Sequence, residues 1–507
     1  MPPTSDSKTA IIIGAGISGL AAALALATRG WRVQVLERDA APPEGDREVA
    51  FSDWARRGVA QMRHSHVFLS RLTNLMRDHY PNLLAQMRMA GCRVLEFRDG
   101  LPPGLLADYV PAPLDADLSF VSSRRVTLEL VLRRHVAAMS NVEIMQGVRA
   151  SALLSDAQSS TRSVTGVVVE QNGATGQQAL HADLTIDASG RGSRSAAWLE
   201  KTGAVIGEET APAGIFYFTR HYRLRPDMQE PPRSNHPTVG DMDYLKFGVF
   251  RADNGWFSIT LAAPEIEVEL CEAIRAPEIF DRICGLLPGV APWTAIDQAE
   301  PMSPVFTMGG LRSHWRHFVT QSNPAALNFF VIGDAAVCSN PLYGRGCSAG
   351  FLQAHLLADI CTDNHNPFER ALLFDTMLRR EIRPYYDLMV RQDAQSIRRA
   401  SAMRNGDYQP GLRARLARRF FEDGVRPASR DDIKVMRALM RGFHMLENPK
   451  LALQDPEIIL RIGRYLLRGH KRNADLIGPP IGPERDMMLN RLGIQPGRDK
   501  DIKELSA

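Results

Sequence analysis

A chain of 507 residues is long enough for two or three domains, and 44% hydrophobic with 23% charged residues suits an ordinary soluble globular protein. A formal charge of +4 is too small at this length to argue for nucleic-acid binding. Six cysteines without CxxC spacing argue against a zinc site or a disulfide framework, and for reduced thiols in a cytoplasmic protein.

The polar start MPPTSDSK lacks the basic region and cleavage pattern of a signal peptide. The apolar run Ile11 to Ala27 is short for a span of about 20 residues and carries glycines, so it reads as a buried strand, a turn and a buried helix. Ile11–Ile13 predicts a central parallel strand, Gly14-Ala15-Gly16-Ile17-Ser18-Gly19 opens a helix through about Thr28, and Arg32–Leu36 makes a second strand ending at Glu37. This is GxGxxG in its βαβ context. The first glycine permits the tight turn, the second lets a pyrophosphate approach the backbone, and the third lets helix and strand pack closely. The helix start attracts the phosphate charge, and Glu37, with Arg38 beside it, stands where an acid receives a ribose diol. The pattern predicts a bound dinucleotide and leaves NAD and FAD open.

Four later segments carry further signals. Arg57 to His66 includes Gln61, Arg63, His64 and an HxH pair that lacks a third metal ligand, so no metal is expected. Ser123-Arg124-Arg125 opens a helix. Residues 182–194 read as a strand ending at Asp187, followed by a turn containing Gly190. Val331-Ile332-Gly333-Asp334 ends another strand in an acid directed at the crevice where α/β sheets bind ligands. Behind it, Pro341 fixes the chain direction, and Gly344 and Gly346 let backbone approach a flat ring, with a helix start near Gly346. Between these segments, Ile215–Tyr222, Tyr244–Phe250 and Trp256–Leu261 read as strands, the last two joined by the hairpin-like Asp253-Asn254-Gly255. Their aromatics are candidates for the floor of a ligand pocket. From about Phe368 the pattern is helical. Residues 391–475 carry 19 Lys or Arg against 10 Asp or Glu, and Arg413–Phe421 is a basic amphipathic candidate, either for an anionic membrane surface or for a solvated helix face.

Together the glycine-rich opening, the 182–194 segment and Val331–Gly350 resemble the three fingerprints of FAD-dependent monooxygenases of the para-hydroxybenzoate hydroxylase type. The 57–66, 123–129 and 310–318 segments resemble a subgroup containing polyether epoxidases and relatives of squalene epoxidase. The resemblance implies an α/β fold: a discontinuous Rossmann-like FAD-binding domain (1–90, 120–200 and 322–375), a β-sheet substrate domain (91–119 and 201–321) and a helical C-terminal region (376–507). It implies FAD contacts from Gly14, Gly16, Ile17, Ser18, Gly19, Glu37, Arg38, Gln61, Arg63, His64, Arg125, Asp187, Gly190, Gly333, Asp334, Pro341, Gly344 and Gly346, with Asp334 accepting from a ribityl hydroxyl. Asp187-Ala188-Ser189-Gly190 departs from the family's acid-glycine pair, and Arg345 replaces a frequent glutamine. Tyr343 and Arg345 are the local candidates for a catalytic role.

The implied reaction is reduction of FAD by NAD(P)H, then transfer of one oxygen atom from a flavin C4a-hydroperoxide. The substrate is a lipophilic polyketide- or terpenoid-like molecule, epoxidised or hydroxylated. GAGISG is the one GxGxxG, so either NAD(P)H binds transiently at the flavin or a partner reductase supplies reduced flavin. The rival readings are a reductase of the geranylgeranyl reductase kind and a non-catalytic flavoprotein partner. A halogenase is disfavoured by the lack of WxWxIP.

Overall fold

The computed structural model describes residues 7–156, 162–173, 175–363, 366–406 and 408–495. Its central sheet has five parallel strands: β1 (Thr9–Ile13), β2 (Arg32–Glu37), β3 (Val142–Gln146), β4 (Leu184–Asp187) and β5 (Phe329–Val331). Their spatial order is β5-β4-β1-β2-β3. Continuous apolarity is explained by cover on both faces. Ile12, Val33 and Val35 pack under helices α1 (Ile17–Ala27), α2 (Arg125–Ala137) and α3 (Gly346–Thr362). Ile11, Ile13 and Leu36 pack on Val148, Val167 and Val169 of an antiparallel meander formed by residues 148–156, 163–171 and 177–181.

The second sheet is antiparallel and joins Val239–Asp241, Lys246–Arg251, Trp256–Pro264, Ile215–Leu224 and Ala299–Pro301, with Phe306–Met308 also paired to the Ile215–Leu224 strand. Its hairpin turns at Asn254 and Gly255, both at positive φ, in accord with the Asn-Gly signal. Period-two alternation sends Phe218, Tyr222 and Phe257 to one face, where they meet Leu270, Phe280 and Trp293. Those aromatics are the sheet's own core, and none of the three lines the cleft at the ends of the parallel strands. The other face carries Thr219, His221, Ser258 and Thr260 toward the nucleotide-binding half.

The helices after α3 divide between the two halves. Phe374, Leu378, Tyr385 and Met389 join the core beneath α1 and α3, while Met488, Leu489 and Leu492 of the helix Arg485–Leu492 enter the core of the second sheet. The basic helix Leu412–Arg419 buries no residue and exposes Leu412 and Leu416. Among the described residues no helix is long and apolar enough to cross a membrane.

Gly14 adopts φ +101°, and a Cβ at Gly19 would overlap the Gly14 carbonyl oxygen. Gly19→Ala therefore forces backbone apart at the β1–α1 turn. A loss of roughly 1–3 kcal/mol is expected, read as a lower urea midpoint; an unchanged midpoint would contradict this packing.

Candidate functional site

The carboxyl ends of β1, β4 and β5 open into one continuous cleft of about 380 Å³. The first motif forms one end. Gly14, Gly16, Ile17 and Ser18 line it where α1 begins, and Glu37 and Arg38 line it where β2 ends. A Cβ added at Gly16 meets no atom within 4 Å, so open cleft lies above that glycine. Glu37 is buried and accepts hydrogen bonds from Ala15 N (3.1 Å), Asp39 N (3.0 Å) and Arg56 Nη1 (2.6 Å). Burial opposes its charge, but Arg56 and these donors outweigh burial and hold its pKa below the ordinary value. Arg56 also lies 3.0 Å from Glu129, which takes two bonds from Arg125 at 3.2 and 3.1 Å. Arg125 in turn lines the cleft beside Cys347 and His66.

The third motif forms the opposite wall. Cβ atoms at Gly333 or Gly350 would overlap the Ser18 side chain, so glycines alone admit this approach of α3 to α1. Asp334 lines the cleft, and among the described residues no group donates a hydrogen bond to its carboxylate. Burial raises its pKa against the pull of Arg191 and Arg125. Asn340 caps the next turn by accepting from Leu342 N (3.1 Å), Pro341 follows, and Gly344 takes φ +64°. Pro341, Gly344, Arg345 and Gly346 line the cleft. Tyr343 does not; its hydroxyl donates to Asp393 (3.0 Å).

The 57–66 loop closes the cleft against the second sheet. Gln61, His64, Ser65 and His66 line it. His64 Nδ1 meets Thr219 Oγ1 (3.0 Å), which meets Thr260 Oγ1 (2.8 Å). Thr260 meets Ser65 Oγ (2.8 Å), and Ser65 meets Ser258 Oγ (2.7 Å). Burial lowers the pKa of His64 and His221 to about 4 each, and burial with Arg125's charge lowers His66 to about 3. All three imidazoles are neutral at pH 7.

Four other candidates stand behind the wall. Arg63 donates to the carbonyls of Phe51 (2.8 Å) and Ser52 (3.0 Å). Asp187 is fully buried and accepts from Ser189 N (2.8 Å), Ser193 Oγ and Ser195 Oγ. Gly19 and Gly333 serve close packing, while Gly190 stands in the wall. Arg124, adjacent to Arg125, clamps Asp253 and Glu48 and stacks over Trp256 at 4.0 Å, tying the two sheets together.

Sequence reading missed Arg56, Arg191 and Ser65. The buried acid at Glu37 signals the need for a cation, but not which one. Among the described residues no three His, Cys, Asp or Glu side chains are placed to hold a metal ion.

The cleft suits FAD. A glycine-backed helix start at one end suits a pyrophosphate, a buried acid a ribose, and an undonated carboxylate a hydroxylated linker. The sequence profile of the DAO family, described as FAD dependent oxidoreductase, matches residues 9–87. Protein Rv3254 of Mycobacterium tuberculosis is 29% identical over 361 residues, 68% of this chain and 71% of that one. The fold is shared with the anhydrotetracycline hydroxylase OxyS of Streptomyces rimosus, at 17% identity and TM-score 0.54 over 87% of this chain and 76% of that one. It is also shared with the flavin-dependent halogenase CmlS, at 16% identity and TM-score 0.56 over 92% and 79%.

Two outcomes follow from this geometry. Gly16→Ala is expected to keep the urea midpoint, because its methyl has room, yet to bind FAD at least about tenfold more weakly, because that room is the cleft. Fluorescence titration of the apoprotein with FAD reads the change, and undiminished affinity would show that the nucleotide lies elsewhere. For the histidines, the unfolded chain takes up protons near pH 6.5 that folded His64 and His221 refuse down to about 4. Their contribution is complete above about pH 6.5 and is lost as pH falls toward 4, by up to about 1.4 kcal/mol per unit for each. His64→Asn should flatten the fall in urea midpoint between neutral pH and about pH 5; an equally steep fall contradicts a buried neutral imidazole.

Proposed function

We propose that the chain, which matches the FAD dependent oxidoreductase profile over residues 9–87 and shares its fold with a flavin-dependent halogenase and an anhydrotetracycline hydroxylase, is an FAD-dependent monooxygenase. It uses NAD(P)H and O2 to insert one oxygen atom into a lipophilic organic substrate by epoxidation or hydroxylation. The observation that carries this reading is the single cleft in which both glycine-rich motifs, the 57–66 loop and the second sheet meet.

Bound FAD supplies the electron storage and the reaction with O2. The chain supplies position and dryness. The start of α1, with Gly14 and Gly16, holds the pyrophosphate, Glu37 the ribose, and Asp334 a hydroxyl of the linker. Pro341–Gly346 offers backbone to the ring, and the positive end of α3 favours negative charge there. The His64–Ser65 hydroxyl chain holds the loop against the second sheet, so that the loop covers this side of the cleft. His64 and His66 are neutral at pH 7, so neither is a general acid there, and burial makes each a weak base. Epoxidation fits such a cleft, because an alkene needs no base.

With one GxGxxG in the chain, the nicotinamide donor has no fingerprint of its own, so either NAD(P)H visits this cleft transiently or a partner reductase supplies reduced flavin. A halogenase reading shares the fold but lacks the WxWxIP sequence.

The holoenzyme, supplied with NADPH and 18O2 and screened against unsaturated polyketides and terpenoids, is expected to yield a product carrying one 18O atom. A saturated product formed without oxygen would replace this reading with the reductase one.

A further inference from the structure

We propose that Asp393 is a positioning residue for bound FAD, holding the Pro341–Gly346 turn against the flavin through the hydroxyl of Tyr343. Asp393 lies on the 22-residue helix Arg383–Arg404 and does not line the cleft. It is buried, and it accepts from the Tyr343 hydroxyl at 3.0 Å. Pro341 and Gly344, which flank Tyr343, do line the cleft. The turn therefore offers backbone to the ligand while its tyrosine is held from behind. The inference rests on the FAD reading of the cleft, and not on the oxygen chemistry.

The hold is a pattern along one helix face. Tyr385, Met389 and Asp393 recur every four residues, which places them on one side. Each meets the turn: the Tyr385 carbonyl accepts from Arg345 Nη1 at 3.3 Å, Met389 Sδ from Asn340 N at 3.2 Å, and Asp393 from Tyr343. Four residues further, Ile397 fills the space that a Cβ at Gly214 would need, just ahead of the Ile215–Leu224 strand. Arg399 then donates to Asp243 at 2.7 Å, and Arg404 to Glu269 at 2.7 Å, so the same helix is fixed to the half of the molecule built on the second sheet. From that sheet, Tyr217 donates to Asn340 Oδ1 at the start of the turn.

A buried carboxylate is costly, and an apolar side chain at position 393 would pack without that cost. What the acid adds is direction. A hydroxyl–carboxylate bond fixes Tyr343 at one distance and angle, where an apolar contact tolerates sliding. Burial raises the Asp393 pKa to about 6, against the pull of Asn340, Tyr343, Lys246 and Arg345. The titratable groups that face it are thus Tyr343 and Arg345 of the turn and Lys246 and Tyr217 of the second sheet, with Asp241 beyond Tyr343. Above about pH 6 the carboxylate takes the full charge-assisted bond. As pH falls through about 6 the group is protonated and the bond weakens.

Fluorescence titration of the full chain with FAD at about pH 5.5 and about pH 7.5 tests this, in a window above the His64 and His221 values of about 4. The unsubstituted chain is expected to bind FAD about two- to fourfold more weakly at the lower pH. Asp393→Asn should bind about three- to tenfold more weakly than the unsubstituted chain at the higher pH and lose the pH dependence, which a general loss of packing would leave in place. Asp334, also raised by burial, is present in both proteins, so the difference between them belongs to Asp393. Tyr343→Phe should weaken FAD by a similar factor, and the double variant should be no weaker than the weaker single one, because both remove one bond. The proposal is overturned if Asp393→Asn keeps the pH dependence, if it binds FAD undiminished at the higher pH, or if the two losses add. An unsubstituted chain that binds no FAD would overturn the FAD reading as well, and that result is distinct from each of these.

Discussion

Everything in the cleft depends on how closely α1 and α3 approach. Ser18, in the first turn of α1, fills the space that side chains at Gly333 and Gly350 would need. The contact brings two helix starts and the ends of β1 and β5 to one crevice, although more than 300 residues separate them in the chain. A methyl group at Gly333 or Gly350 would push the third motif outward and misplace Asp334, Pro341 and Gly344 together. The three glycines of the first motif then divide the work: Gly14 and Gly19 close the turn, and Gly16 leaves space for the ligand.

Around that contact the protein has buried charge in pairs. Glu37–Arg56–Glu129–Arg125 runs along the cleft from the β2 end toward the third motif. Arg124–Asp253 joins the helix α2 start to the hairpin of the second sheet, with Trp256 stacked on the guanidinium. Such pairs add little net stability, but breaking one strands a buried charge, so they specify how the two halves dock. Arg133 and Arg345 depart from this pattern: among the described residues neither forms an ion pair, and their guanidinium groups donate to Ala15 and Gln146 and to the Tyr385 carbonyl.

The first βαβ unit, the strands at 215–222 and 256–261 and the helical tail were legible because periodicity and turn chemistry are local. The Asn254-Gly255 hairpin was legible for the same reason. What local pattern could not reveal was direction. Asp187 and Asp334 are both acids at strand ends before glycine-rich turns. One is consumed by Ser189, Ser193 and Ser195, and the other faces the cleft without a donor. Arg124 and Arg125 are neighbours, yet one ties the sheets together and the other lines the cleft. The sheet's aromatics illustrate the same limit, since alternation predicts two faces but not which one meets a partner.

From sequence alone came the α/β class, the nucleotide-binding turn and the acids and glycines of the outer motifs, because short-range sterics and dipoles demand those residues at those spacings. Tertiary structure decided which charges are answered. Glu37 found Arg56, Ser65 found Thr260, and Arg345 found only two aromatic rings and a carbonyl. Pairing depends on distances between segments far apart in the chain, and a linear pattern carries no such distance.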